Sequence, residues 1–280
     1  EMVKAKAMYL NLRSRDVDFP IDSLCIREAQ SLFSINNFLA TIYKHLGRYE
    51  LSGQFYLKNR RLVEEADSLA GFNSVYLNTI NHLTAQLFGQ MGKYEKANEL
   101  QTKVLDYYKT KYAEDVKYKN NLVSAYHKTT MTLIEQDSLE KALSNLDESQ
   151  EYLLKDDPFY KEALILYGYI YTKLNDGQKA IQNYQHALDE YKEYRQHKPH
   201  QDIAEVYLKI AEFHLRDKNH SEGLETLQKA LNSAGRNIQI SNAQLNPEPN
   251  EVFSKRQLLQ LLDIKLQLLQ IAHTKTNDEK

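Results

Sequence analysis

Apolar residues in this chain recur at intervals of three and four, over stretches too long and too irregular for alternating strands. Leu39, Ala40, Tyr43 and Leu46 share one helix face, Gly47 ends that helix, and Leu51, Phe55, Leu62 and Val63 form the inward face of a second helix over residues 50–69. The pattern predicts the same pair four more times. The first helices fall over 75–90, 121–135, 159–174 and 203–215, and the second helices over 94–112, 139–154, 177–195 and 221–233. Boundary chemistry agrees with these limits. Asp157-Pro158 reads as a cap residue followed by proline at the first helical position. Ser254 with Gln257 forms a capping-box pattern ahead of a last helix. The run Asn246-Pro247-Glu248-Pro249-Asn250 reads as a loop, because neither proline can donate a backbone hydrogen bond.

The pairs are also copies of one another. Leu46-Gly47-Arg48-Tyr49 returns 45 residues later as Met91-Gly92-Lys93-Tyr94. Small residues early in each second helix, at positions 52, 97, 142, 180 and 223, recur at spacings of 45, 45, 38 and 43. Self-similarity at such a period marks a repeat architecture, in which each unit buries its apolar face against its neighbours. Tyr167-Gly168, Tyr171, Ala180, Tyr184 and Ala187 resemble the tetratricopeptide repeat most closely, followed by Ile210-Ala211, Gly223, Leu227 and Ala230. Gly92, Tyr94 and Ala97 fit the second unit, Ser52 and Tyr56 the first, and Thr129-Thr130, Leu133, Ala142 and Leu146 a weaker third. Small side chains at these points let two helix backbones approach. The spacings exceed the usual repeat of about 34 residues, so the units are elongated.

The resemblance implies an all-α, right-handed solenoid of antiparallel helix pairs. It places helical segments over 1–32, about five elongated units over 33–245, and a linker with an incomplete helical unit over 246–280. It also implies a non-catalytic scaffold for protein–protein interaction, whose first helices line a concave groove through their fifth and ninth positions. The fifth positions are Asn37, His82, His127, Ile165 and Leu208, and the ninth are Thr41, Gln86, Met131, Tyr169 and Glu212. Such a groove is polar and imidazole-bearing at one end and apolar at the other, suited to an extended peptide or protein segment. Stacked imidazoles at 82 and 127 are candidates for a pH switch or a metal pair. The basic clamp by which some members of the family hold carboxylates needs Lys and Arg on these faces, and only Lys44, Lys173 and Arg216 approach that role.

Composition narrows the function classes. With 9 Gly and 5 Pro in 280 residues, the chain lacks the turn residues of a β-rich fold. The 36 basic and 38 acidic residues balance, so no global nucleic-acid binder is expected. Cys25 is the one cysteine, which excludes an intrachain disulfide, fits a reducing cytoplasmic compartment and reads as an inert thiol. No apolar run approaches the roughly 18 residues of a spanning helix, and no signal peptide is visible. A chain opening at Glu1 is expected to be a trimmed piece. His197-Lys198-Pro199-His200 offers two imidazoles without a third ligand nearby, and no phosphate loop, zincin helix or nucleophile elbow is present. No enzyme activity, metal or cofactor is therefore expected. The interleaved Lys103, Tyr107, Tyr108, Lys109, Lys111, Tyr112, Lys117, Tyr118 and Lys119 could stack bases, but Asp106, Glu114 and Asp115 interrupt them. A solvated helix with lysine stems over tyrosines is the expected reading.

The final segment differs from the others. Leu258, Leu259, Leu261, Leu262, Ile264, Leu266, Leu268, Leu269 and Ile271 surround most of one helix, whereas a terminal repeat needs a polar outer face. Leu258, Leu261, Leu262, Leu268 and Leu269 are therefore expected to dock a domain that continues beyond the chain, or a second copy. Asn246-Pro247, then Phe253-Ser254-Lys255-Arg256-Gln257-Leu258-Leu259 and Lys265, resemble the last repeats before a CHAT domain. Bacterial proteins of that kind join a tetratricopeptide array to a caspase-like cysteine protease. The resemblance implies a sensing or regulatory region linked to a protease domain, with no catalytic residue in this chain. The alternatives are the extracytoplasmic or cytoplasmic sensor region of a signalling or transcription regulator, or a freestanding adaptor.

Overall fold

The computed structural model describes residues 21–65, 73–155, 157–236, 238 and 245–278. Residues 1–20 of the segment expected over 1–32, the end of the second helix over 66–69 and the Cys25 side chain lie outside what is described. The chain divides between Ser138 and Leu139 into two units. The first holds α1 (Ile21–His45), α2 (Tyr49–Glu65), α3 (Asn73–Gln90), α4 (Tyr94–Glu114), a 3-10 turn over Val116–Tyr118, and α5 (Lys119–Glu135). The second holds α6 (Leu139–Gln150), α7 (Pro158–Lys173), α8 (Gly177–Tyr194), α9 (Gln201–Arg216), α10 (His220–Ser233) and α11 (Lys255–Asp278). Among the described residues there is no strand, only an isolated bridge between Gly235 and Val252. No described helix is long and apolar enough to cross a membrane. The fold is thus an all-α array of helices packed in adjacent pairs, α1 on α2 and α3 on α4 in the first unit, α7 on α8 and α9 on α10 in the second. The helices of the expected third pair, α5 and α6, fall in different units.

One turn is used five times. Gly47 and Gly92 both have φ near +70°, and Asp137, Asn175 and Lys218 take the same left-handed conformation at φ of 58°, 61° and 55°. In each case the next residue donates its N–H to the carbonyl five back: Arg48 to Tyr43, Lys93 to Phe88, Ser138 to Leu133, Asp176 to Tyr171 and Asn219 to His214, all at 2.8–3.0 Å. This is the hydrogen-bond pattern of a Schellman motif, which satisfies carbonyls at a helix end that would otherwise lack partners. Five residues after each left-handed position stands the small residue of the second helix: Ser52, Ala97, Ala142, Ala180 or Gly223, every one buried. The period seen in the sequence is therefore the period of this turn. Lys218 is the costliest occupant, since an L side chain with a Cβ resists that conformation by about 1–2 kcal/mol. Lys218→Gly is expected to raise stability by about 1 kcal/mol and Gly92→Ala to lower it by a similar amount, read from urea unfolding followed by circular dichroism.

Two boundaries depart from expectation. Residue 157 is the N-cap of α7 and Pro158 its first residue, yet the Asp157 side chain makes no capping hydrogen bond. The proline already removes one orphan N–H and presets φ, which leaves less for a cap to do. At α11, Ser254 Oγ accepts from the Gln257 N–H at 3.3 Å, the forward half of a capping box. The Gln257 side chain does not return the bond; its amide donates instead to the Gln201 carbonyl at 2.9 Å, tying α11 to the start of α9. Helix α6 ends at Gln150 rather than Leu154, where the bonds tighten to three-residue spacing: Tyr152 N–H to Ser149 and Leu153 N–H to Gln150, both at 3.1 Å.

Candidate functional site

In the first unit the predicted groove positions lie on α1, α3 and α5. Asn37 is half-buried and accepts from the Asn59 amide at 2.8 Å. Asn59, fully buried on α2, also donates to the Phe33 carbonyl at 3.0 Å and accepts from Asn36 at 2.8 Å, so this polar centre is well satisfied. The Thr41 hydroxyl bonds back to the Asn37 carbonyl at 2.9 Å. Gln86 accepts from Lys44 at 3.4 Å, linking α3 to α1. Beside them stands Glu135 on α5, whose Oε2 would lie 3.2 Å from a Cβ placed on Gly89. Desolvation pushes the Lys44 ammonium down and the Glu135 carboxyl up, in each case against the pull of the other charge. An opposed cation and anion therefore flank Gln86 and Gly89 on this face. Lys44 is legible in the sequence as a basic residue beside the groove register, whereas Glu135, the last residue of α5, carries no such signal.

His82 and His127 do not face solvent as expected. Both are buried, at 6% and 4% exposure. The Gln101 amide donates to His82 Nδ1 at 3.2 Å and to the Thr132 hydroxyl at 3.1 Å, a buried link among α3, α4 and α5. Burial, together with the Lys128 charge, holds the His82 pKa down at about 3, with Gln101 pulling the other way and Lys44 adding to the depression. Unfolded histidine binds a proton near 6.5, so between about 6.5 and about 3 the unfolded chain takes up more protons than the folded one. Stability from this group is complete above that window and falls as pH drops through it. His82→Gln is expected to flatten the slope in urea unfolding measured at stepped pH. Both imidazoles are enclosed rather than presented on a surface, and no group of three His, Cys, Asp or Glu among the described residues could hold a metal ion. Met131, in contrast, is 48% exposed on α5.

In the second unit Tyr169 is 39% exposed on α7, Ile165 is half-buried against the α7–α8 core, and Glu212 on α9 accepts from Lys209 at 3.0 Å. Leu208 is fully buried among α9, α10 and α11 and cannot line a surface. Arg216 does not serve as a clamp for a ligand. Its guanidinium donates to the Thr172 carbonyl and to Asn175 Oδ1, the latter at 2.8 Å, fastening α9 to the α7–α8 turn. On α11, Leu258, Leu261 and Leu268 are covered by this chain's own α9 and α10 and are not available to a docking partner. Leu262 is partly buried, while Leu269 at 42%, Leu259 at 69% and Leu266 at 55% form the exposed stripe. The remaining motifs take their bland roles. His200 caps α9 by accepting from the Asp202 N–H at 3.2 Å, and His197 lies exposed in the connection before it. In the lysine–tyrosine stretch Lys109 lies over Tyr126 and Lys117 over Tyr118, each at 5.2 Å. Lys103 and Lys111 pair with Glu99 and Glu114 at 2.6 Å, which leaves a solvated helix face.

The family model for the tetratricopeptide repeat matches residues 161–194, the stretch from α7 through α8. Among curated proteins nothing matches the chain in sequence. Among solved structures the chain is similar to the crystal structure of BtubC (BKLC) from P. vanneervenii, at 16% identity and a TM-score of 0.57, with 88% of this chain and 96% of that chain covered. At that identity the likeness concerns the fold alone. The repeat match, the five shared turns and the helix pairs converge: this chain carries a tetratricopeptide repeat within a helical-repeat fold.

Proposed function

We propose that this chain is a non-catalytic scaffold that recognises a peptide or protein through the exposed faces of its first helices, and that it serves as the sensing or regulatory region of a larger CHAT-type protein. The observation that carries the scaffold reading is the fivefold recurrence of one turn between first and second helices, with Met131 and Tyr169 exposed on first-helix faces. Large apolar side chains held half in water on helices make good anchors for a partner, because covering them buries further apolar area while the backbone beneath them is already ordered. Besides Met131 the first unit carries Asn37, Thr41 and Gln86 on its first helices, with Lys44 and Glu135 as opposed charges. Around Tyr169 the second offers Ile165 and Glu212. The CHAT-type context rests on the sequence from Asn246 to Lys265, whose loop is pinned by a buried lysine: Lys265 Nζ donates to the Leu245 carbonyl and to Asn246 Oδ1, both at 2.7 Å. In that context a partner seated on the array would change how successive repeats pack, and so the disposition of a linked protease domain.

Tyr169→Ala is expected to keep full helicity and to weaken capture of the partner about tenfold or more, as hot-spot aromatics do. Isothermal titration with the captured partner checks this, and unchanged affinity would remove Tyr169 from the recognition face. The CHAT-type reading fails separately, if the native polypeptide holds no α/β segment with a paired His and Cys.

A further inference from the structure

Arg195, Lys198, His200, Gln201, Arg236 and Phe253 line a cavity of about 520 Å³ between the α8–α9 connection and the segments flanking the 238–250 stretch. That volume falls within the range of small-molecule sites, about 300–1,000 Å³. Its construction is specific. Helix α8 closes on two successive non-glycine residues in the left-handed region, Gln196 at φ 52° and His197 at φ 55°, which reverse the chain so that Lys198 and His200 border the cavity. Such backbone is sparsely populated and persists only where the surroundings hold it. On the other wall Gly235 pairs with Val252, and the Phe253 N–H donates to the Ala234 carbonyl at 2.8 Å. A Cβ on Gly235 would lie 2.3 Å from the Glu251 carbonyl oxygen, so only glycine permits the approach that brings Arg236 and Phe253 to one cavity.

The charges are unbalanced. Among the described residues no acidic side chain lines the cavity, but Asp202 stands behind it, its Oδ2 3.1 Å from His200 Nδ1. Arg195 is held by Asp202, with Nε at 3.2 Å. Among the described residues Lys198 reaches only Gln196 Oε1, at 3.4 Å, and Arg236 makes no ion pair. Phe253 is 38% exposed, with its ring centre 6.0 Å from that of His200. With Asp202 neutralising Arg195, the remaining cations Lys198 and Arg236 leave the concave site net positive, which favours an anion, and a guanidinium suits phosphate oxygens in particular. A half-exposed aromatic ring beside them favours a planar group on the same ligand.

We propose that this cavity binds a small organic phosphate carrying a planar ring, a mononucleotide being the matching chemical class, with its phosphates on Lys198 and Arg236 and its ring against Phe253. The test is calorimetric titration of the intact chain with ADP, with pyrophosphate as the ringless probe. ADP is expected to bind at least about tenfold more tightly than pyrophosphate, since stacking on an aromatic side chain contributes on that order. Arg236→Ala is expected to weaken ADP about tenfold through loss of a charge-assisted contact. Phe253→Leu is expected to weaken ADP similarly while leaving pyrophosphate unchanged. Helicity measured beside each variant shows that the fold is retained. The proposal is overturned if ADP gives no binding up to millimolar concentration, if pyrophosphate binds as well as ADP, or if neither substitution alters ADP binding.

Discussion

Tyr184→Ala is expected to destabilise the second unit by about 3–5 kcal/mol, the range for removing a large aromatic side chain from a core. Tyr184 is 1% exposed, and its ring fills the space over Gly168, where α8 crosses α7. The fit is tight enough that a Cβ on Gly168 would lie 2.6 Å from the ring. Gly168→Ala should therefore cost about 1–3 kcal/mol by overpacking. In an ordinary helix interior that same change is favourable by about 1 kcal/mol, so the sign of the result decides which effect wins. Combining Gly168→Ala with Tyr184→Leu should cost clearly less than the two single effects added together, because the smaller side chain makes room for the methyl group. Urea unfolding followed by circular dichroism measures these variants and the single Tyr184→Leu. A loss below about 1 kcal/mol for Tyr184→Ala would contradict the packing described.

Leu268→Ala is the second large expected effect, about 2–5 kcal/mol for a fully buried leucine. Its side chain lies against Gly223 of α10, 2.7 Å from where a Cβ would stand, and belongs to the cluster formed by α9, α10 and α11. Two residues earlier on the same helix, Leu266 is 55% exposed, and Leu266→Ala should change stability by no more than about 0.5 kcal/mol. The contrast separates the packed face of α11 from its exposed stripe. Equal effects at both positions would mean that this helix is not seated as described.

The helix pattern was readable because each pair obeys a strong local grammar: apolar residues at helical spacing, a small residue where backbones meet, glycine where the chain reverses. Most predicted boundaries fall within a residue or two of the observed helices. The turn itself was half legible. Gly47 and Gly92 advertise positive φ, whereas Asp137, Asn175 and Lys218 occupy the same conformation without glycine, and the three later turns stayed hidden. The recognition face was harder still, because position within a repeat does not report burial. His82 satisfies the family's groove register and is nonetheless enclosed by Gln101 and Thr132, a tertiary contact between residues 19 apart in sequence. Leu208 fails in the same way, sealed by α10 and α11. On α11, nine apolar residues looked like an all-round surface, but the chain folds its own α9 and α10 over Leu258, Leu261 and Leu268. Arg195, Lys198, Arg236 and Phe253 drew no attention in sequence as a group, since they meet only through the Gly235–Val252 bridge.

The most direct test of the recognition claim is site-specific photo-crosslinking in native cells, with a photoreactive residue placed at position 169 or 131, and at the exposed positions 154 and 194 as references off those helices. The account predicts a discrete protein adduct from 169 or 131 and none from 154 and 194. Adducts that form from 154 and 194 while 169 and 131 remain silent would contradict it.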